Sequence, residues 1–313
     1  MDFFQRIATV HVPGKLVWSN FQSEMLQGFP LPFFVNPAST KWDNLAVHAA
    51  AHHGRSVFLW ESEGEEKRRQ LFAKGCGWTN GILSGWSSEL GNLGIFNGKT
   101  ALREVRVAQQ LYALRLRVIE PIAVWNYDWI PEAGTGREIA PSEILDLRGN
   151  PSNPSLFVYA SQQRYRVCEL AMLSEEHRRG VMVELLSSMK VSSPEEFVLA
   201  FAARLGTSVG LLHAAGGHNY TASPHNVFLD GTLLDFEYLF LPGEMTEDSN
   251  INTRPESWMD KELLGWWETL RVLQLSLRTD LEISVILRVF FQEYSAHGGR
   301  TELDMCRHFG KLA

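Results

Sequence analysis

Residues 217–237 read Gly217-His218-Asn219-Tyr220-Thr221-Ala222-Ser223-Pro224-His225-Asn226-Val227-Phe228-Leu229-Asp230-Gly231-Thr232-Leu233-Leu234-Asp235-Phe236-Glu237. The pattern predicts a turn, a short apolar strand, an Asp-Gly tip and a second apolar strand. Asp-Gly between two apolar runs is a hairpin turn signal, which gives Asp230 a structural role. Asn226 opens the first strand and Asp235 closes the second. An Asn amide oxygen and an Asp carboxylate are hard donors, of the type that Mg2+ or Mn2+ takes.

The whole chain has 313 residues, 45% hydrophobic and 21% charged, enough for one large two-lobed domain or two small ones. The net charge of -7 argues against broad nucleic-acid binding. Cys76, Cys168 and Cys306 are widely spaced with no CxxC pair, the usage of a reducing compartment. The first twenty residues show no secretory pattern, and no run approaches the length of a membrane helix. The expectation is a cytoplasmic protein without nucleic-acid or membrane partners. Ten Trp and eighteen Phe are read first as packing residues.

Working upstream, Ser193-Pro194-Glu195-Glu196 carries a Ser cap, a first-turn Pro and two acids, and predicts a helix through Phe197, Phe201, Leu205, Val209 and Leu212 to His213. Gly216-Gly217 ends it. Further helices are predicted over Trp258–Leu277, Leu281–Ala296 and, by the helical spacing of Leu102, Val105, Ala108 and Leu111, Thr100–Leu116. Ser56–Trp60 and Arg69–Lys74 predict a hairpin across a charged turn, Glu61–Arg68. Val118–Trp125 predicts a strand, and Leu156–Ala160 with Tyr165–Leu170 a second hairpin. Gly75 to Gly98 reads as a glycine-rich loop, and Pro131–Pro154 as a loop-rich insert. Thr40–His53 is expected to be helical; its His48, His52 and His53 lack a fixed acidic or Cys partner and carry no metal signal.

Strands, one helix, more strands and then a helical half with one hairpin is the order of a bilobal protein-kinase-like fold: α+β, with a small β-rich N-lobe and a larger helical C-lobe. The expected divisions are an aromatic-rich extension over 1–55, a nucleotide-binding N-lobe over 56–170, and a C-lobe over 171–313. In this architecture a strand Lys touches ATP phosphates and a helix Glu orients it. Lys74 and Glu104 occupy those positions in the required order. Gly75-Cys76-Gly77 offers backbone N–H groups to phosphates. Where such kinases place the Asp that takes the substrate proton, this chain has Thr221. Glu237, in the place of the usual Gly, is a further carboxylate for metal.

Leu71-Phe72-Ala73-Lys74-Gly75-Cys76-Gly77-Trp78-Thr79, followed by Asn97-Gly98-Lys99-Thr100-Ala101-Leu102-Arg103-Glu104, resembles the small-lobe signature of the selenoprotein O family. Arg164–Glu169 is a looser match to that family's hinge strand. The 217–237 hairpin is similar to the one shared by selenoprotein O proteins and aminoglycoside-phosphotransferase-like kinases. The resemblance spans Leu71 to Glu237. It implies a kinase fold without the catalytic Asp, binding ATP in a flipped pose and transferring AMP to protein hydroxyls. It would make Lys74 and Glu104 the ion pair and Asn226 and Asp235 the metal ligands, with Gly75 and Gly77 at the nucleotide. The family's phosphate-holding Arg has no counterpart in Thr79–Trp86; Lys99 and Arg103 are the candidates to replace it.

Three functions follow. The first is AMP transfer from ATP to a hydroxyl of a protein or peptide, with Lys74, Glu104 and Asp235 catalytic and Asp235 the nearest base. The second is a kinase of a small molecule or peptide, for which Leu205-Gly206 through Gly217 is a suitable run-up and His218 or His225 a substitute base. The third is a pseudokinase that binds a partner and performs no chemistry.

Overall fold

The computed structural model describes residues 5–22, 26, 29, 31–34, 44–49, 56–62, 69–77, 95–131, 137–144, 152–243 and 255–299. They divide into two units, Met1–Arg106 with Glu120–Gln162, and Val107–Ile119 with Gln163–Ala313.

The first unit is built on strands β1 (Gln5–His11), β2 (Gly14–Ser19), β3 (Pro32–Phe34), β4 (Asn44–Ala49), β5 (Ser56–Ser62) and β6 (Arg69–Lys74). Helix α1 (Gly98–Ala113) follows, belonging to this unit through Arg106. Then come β7 (Glu120–Tyr127), the short pair β8 (Ile130–Pro131) and β9 (Glu138–Ile139), and β10 (Ser155–Ser161). Eight of these strands form one sheet in the order β2-β7-β10-β6-β5-β4-β1-β3. Its described pairings are antiparallel. One face buries Val12, Leu31, Phe33, Trp125, Tyr127 and Leu156.

Two expectations are corrected here. The run expected as a helix over Thr40–His53 contains a strand instead. β4 pairs residue by residue with β1, from Gln5 opposite Ala49 to Val10 opposite Asn44. A partner strand satisfies its backbone, and that overrides a weak local helical preference. The second concerns residues 1–55: their described strands are members of the sheet, not an extension laid upon it. His52, His53, the rest of the charged turn (63–68), the glycine-rich stretch 78–94 with Thr79–Trp86, and parts of the 131–154 insert lie outside the described residues, as does Cys306.

The second unit contains α2 (Val167–Leu170), α3 (Glu175–Met189), α4 (Pro194–Ala214), the two-residue strands β11 (His218–Asn219) and β12 (Leu239–Phe240), α5 (Pro255–Leu277) and α6 (Ile283–Ala296). Ser193 caps α4 by accepting from the Glu196 N–H at 3.1 Å. α4 corrects a further expectation, because it is long and apolar enough to pass for a membrane span. Its Phe197, Phe201, Leu205, Val209 and Leu212 are fully buried, which identifies those apolar residues as core.

The second hairpin is also corrected. β10 is a strand, but Val167–Leu170 is a helical turn. The Glu169 carboxylate accepts from the Arg166 N–H at 2.8 Å, which closes the turn against the strand preference of Val167. β10 pairs instead with β6 and β7.

Candidate functional site

Lys74 ends β6, a central strand, where it lies opposite Ser56 on β5 and Phe157 on β10. Its ammonium donates to Glu104 Oε1 at 2.6 Å. The two side chains are 6% and 1% exposed. The ammonium also lies 4.3 Å from the Phe96 ring centroid, a cation–π contact that strengthens where water is excluded. Glu104 is positioned by the start of α1. The Gly98 N–H donates to the Asn153 carbonyl at 2.9 Å, and Asn97 Nδ2 donates to Ser152 Oγ at 3.0 Å. Arg103 is buried one residue before Glu104, whereas Lys99 is exposed in the first turn.

Gly75 and Gly77 both take positive φ, +94° and +80°. A Cβ on Gly75 would meet the Ser155 carbonyl oxygen at 2.1 Å, and one on Gly77 would meet the Phe33 ring at 2.7 Å. Both glycines are therefore required by packing against this chain's own atoms, whatever ligand their N–H groups meet. Between them Cys76 is fully buried, and burial pushes its thiol well above the usual range.

In the second unit the 217–237 segment is a tight hairpin held by few backbone bonds. Val227 and Leu233 form a single antiparallel bridge. Phe228 donates to Thr232 at 2.9 Å and Leu234 to Asn226 at 3.2 Å. Asp230 at the tip accepts from the Thr232 N–H at 3.0 Å and pairs with Arg117 at 3.1 Å. The first residues of α2 and its cap, Arg166, brace the other edge. Val167 donates to the Val227 carbonyl and Cys168 to that of Pro224, each at 3.0 Å, and the Arg166 guanidinium donates to the His225 carbonyl at 3.2 Å.

Asn226 is buried, and its Nδ2 donates to the Thr221 carbonyl at 2.8 Å. With that nitrogen committed, the amide oxygen is the atom the side chain offers to a cation. Asp235 has φ +62°, a left-handed backbone uncommon outside glycine but tolerated by Asp. Asp235 and Glu237 are half-buried on either side of buried Phe236, with carboxylate oxygens within 4.8 Å of each other. Amide and carboxylate oxygens are hard donors, the types that Mg2+ and Mn2+ take.

Sequence reading missed what holds this hairpin. Glu262, on α5, is 0% exposed. Its Oε2 accepts from the Asn219 N–H at 2.9 Å and lies 2.9 Å from His213 Nε2; its Oε1 accepts from Trp266 Nε1 at 3.1 Å. His213 Nδ1 lies 2.8 Å from the Tyr294 hydroxyl. His213, His218 and Glu262 cluster as metal ligands do, but both nitrogens of His213 are already engaged, so the cluster is a hydrogen-bonded anchor for β11. His218 packs inside this anchor, its ring 5.2 Å from that of His213. His225 is exposed.

An antiparallel sheet carrying a buried Lys–Glu pair from strand and helix, followed by a helical unit with an Asn/Asp hairpin, is a protein-kinase-like α+β fold. No family model matches the sequence, and no curated protein matches it. Among solved structures the chain is similar to the kinase domain of a Toxoplasma gondii specific rhoptry antigen, at 11% identity and TM-score 0.44, covering 86% of this chain and 82% of that one. It is also similar to ROP2 from Toxoplasma gondii, described as a virulence factor with a protein-kinase fold and no enzymatic activity, at 14% identity and TM-score 0.43, covering 96% of this chain and 84% of that one.

Proposed function

We propose that this chain is an ATP- and divalent-metal-dependent transferase that moves AMP to a hydroxyl group of a protein or peptide. One observation carries the reading: the Lys74–Glu104 pair is formed, while the base position holds Thr221, whose hydroxyl is already engaged by Asn219 and Asp235. Machinery for holding nucleotide is kept and the usual proton acceptor is not. That combination is what the resemblance to selenoprotein O proteins implies. In the reaction the acceptor oxygen forms a bond to the α-phosphorus, the bond from that phosphorus to its bridging oxygen breaks, and pyrophosphate leaves. Asp235 would take the hydroxyl proton. Lys74 would hold phosphate oxygens, with Gly75, Gly77, Lys99 and Arg103 the other nucleotide contacts. Mg2+ or Mn2+ held by Asn226 and Asp235 would neutralise phosphate charge.

A second reading is phosphate transfer to a small molecule or peptide. Exposed His225, beside Asn226, supports it as a substitute base, and the loose transition state lowers the demand for one. A third is a pseudokinase; Thr221 at the base position, its hydroxyl already engaged, supports it equally. The test is incubation with Mg2+, an acceptor extract and ATP labelled on either the α or the γ phosphate, with Asp235→Ala as control. Label kept only from the α position, and lost in the variant, is the expected result. Label kept only from the γ position would make the chain a kinase. Label from neither, with ATP still bound in a titration, would favour the pseudokinase.

A further inference from the structure

Thr221 stands at the centre of a hydrogen-bond chain that begins in the core and ends at both metal-donor candidates. The Asn219 N–H is fixed by buried Glu262 at 2.9 Å. The side-chain oxygen of Asn219 accepts from the Thr221 N–H at 3.1 Å and lies 3.0 Å from the Thr221 hydroxyl. The same hydroxyl lies 3.3 Å from the Asp235 carbonyl oxygen. The Thr221 carbonyl accepts from Asn226 Nδ2 at 2.8 Å. Both neighbours of the hydroxyl are carbonyl oxygens, so its single proton is shared between them, with the shorter contact to Asn219. Its carbonyl sets which way the Asn226 amide points, and its hydroxyl engages Asp235 at the residue with left-handed backbone.

We propose that Thr221 is a positioning residue: it fixes the Asn226 side chain and the Asp235 backbone as one unit, anchored through Asn219 to Glu262. The proposal rests on reading Asn226 and Asp235 as the metal donors. It explains the residue type. A carboxylate in place of the hydroxyl would face the oxygens of Asn219 and Asp235 with no proton to share, so Asp at 221 disrupts the hairpin instead of supplying a base.

The test uses the full chain and the variants Thr221→Ser, Thr221→Val and Thr221→Asp, with two readouts. Amide hydrogen exchange over residues 219–237 reports positioning without any ligand. Titration with Mn2+ and ATP, followed by the electron paramagnetic signal of Mn2+, reports the donor set. Thr221→Val is expected to raise exchange at 226–237 and weaken Mn2+–ATP binding by about tenfold, while Thr221→Ser stays within about twofold of the parent. Thr221→Asp is expected to resemble Val, not Ser. Exchange in Thr221→Val indistinguishable from the parent overturns the proposal. A parent chain that binds no Mn2+–ATP overturns the proposed function instead, and the exchange data still decide the role of Thr221.

Discussion

Lys74 and Glu104 meet at 2.6 Å in a setting where both are nearly excluded from water. Such a pair gains little over an apolar pair of the same shape, but removing one partner is costly, because a buried charge loses its counter-ion. Lys74→Met should therefore destabilise the chain by about 3 kcal/mol. The double variant Lys74→Met/Glu104→Met should regain most of that loss. Neither should bind ATP as the parent does. Urea denaturation beside a nucleotide titration checks this; equal stability of the single and double variants would show that the pair is not coupled.

Gly75 gives a prediction of opposite sign to an ordinary glycine. Gly75→Ala forces a Cβ against the Ser155 carbonyl at positive φ, and should cost about 1–3 kcal/mol. A Cβ added at Gly180, within α3, would meet nothing within 4 Å, so Gly180→Ala should stabilise by about 0.5–1 kcal/mol. Thermal melts of the two variants should shift in opposite directions.

Much of the fold can be read locally. β5, β6, α1, α4 and α6 follow from periodicity and caps, and Ser193 caps as its motif implies. β4 and α2 do not, because what decides them is a partner strand in one case and a single carboxylate–amide bond in the other. Of the candidate site residues, Lys74 and Glu104 in the first unit and Asn226 and Asp235 in the second are visible as residue types in order. The Glu262 anchor is not, since it reaches Asn219 across 43 residues and carries no motif.

Glu262→Gln offers a test of that anchor. The neutral amide keeps the size but loses one acceptor atom among the Asn219, Trp266 and His213 contacts. Removing a buried acceptor costs about 1–3 kcal/mol. The loss should appear as lower stability together with weaker Mn2+–ATP binding. Stability that falls with binding unchanged would confine Glu262 to the core.

A surface carboxyl predicts the acid limb of stability. Glu196 accepts from both the N–H and the hydroxyl of Ser192 at 2.7 Å, and these bonds hold its pKa below the ordinary value of 4.5. A carboxyl with depressed folded pKa contributes stability above its unfolded pKa and loses it as pH falls through the folded value. Glu196→Gln should therefore lower the urea midpoint at pH 7, and the difference from the parent should shrink below about pH 4. A gap that is constant with pH would assign the effect to the cap geometry alone.

Gly265 bears on how closely α5 meets the segment before the hairpin. A Cβ there would fall 2.0 Å from the Ala222 carbonyl oxygen. Gly265→Ala should thus push on the residue next to Thr221 and raise hydrogen exchange over 219–237. Unchanged exchange would mean that the helix yields instead.

Two buried thiols among the described residues give the molecule internal clocks. Cys76 belongs to the first unit and Cys168 to the second, and burial raises both pKa values, that of Cys168 to about 12. Neither has appreciable thiolate at neutral pH, so alkylation must wait for local opening. Timed alkylation followed by peptide mapping would then record how often each unit opens, separately and without any engineered label.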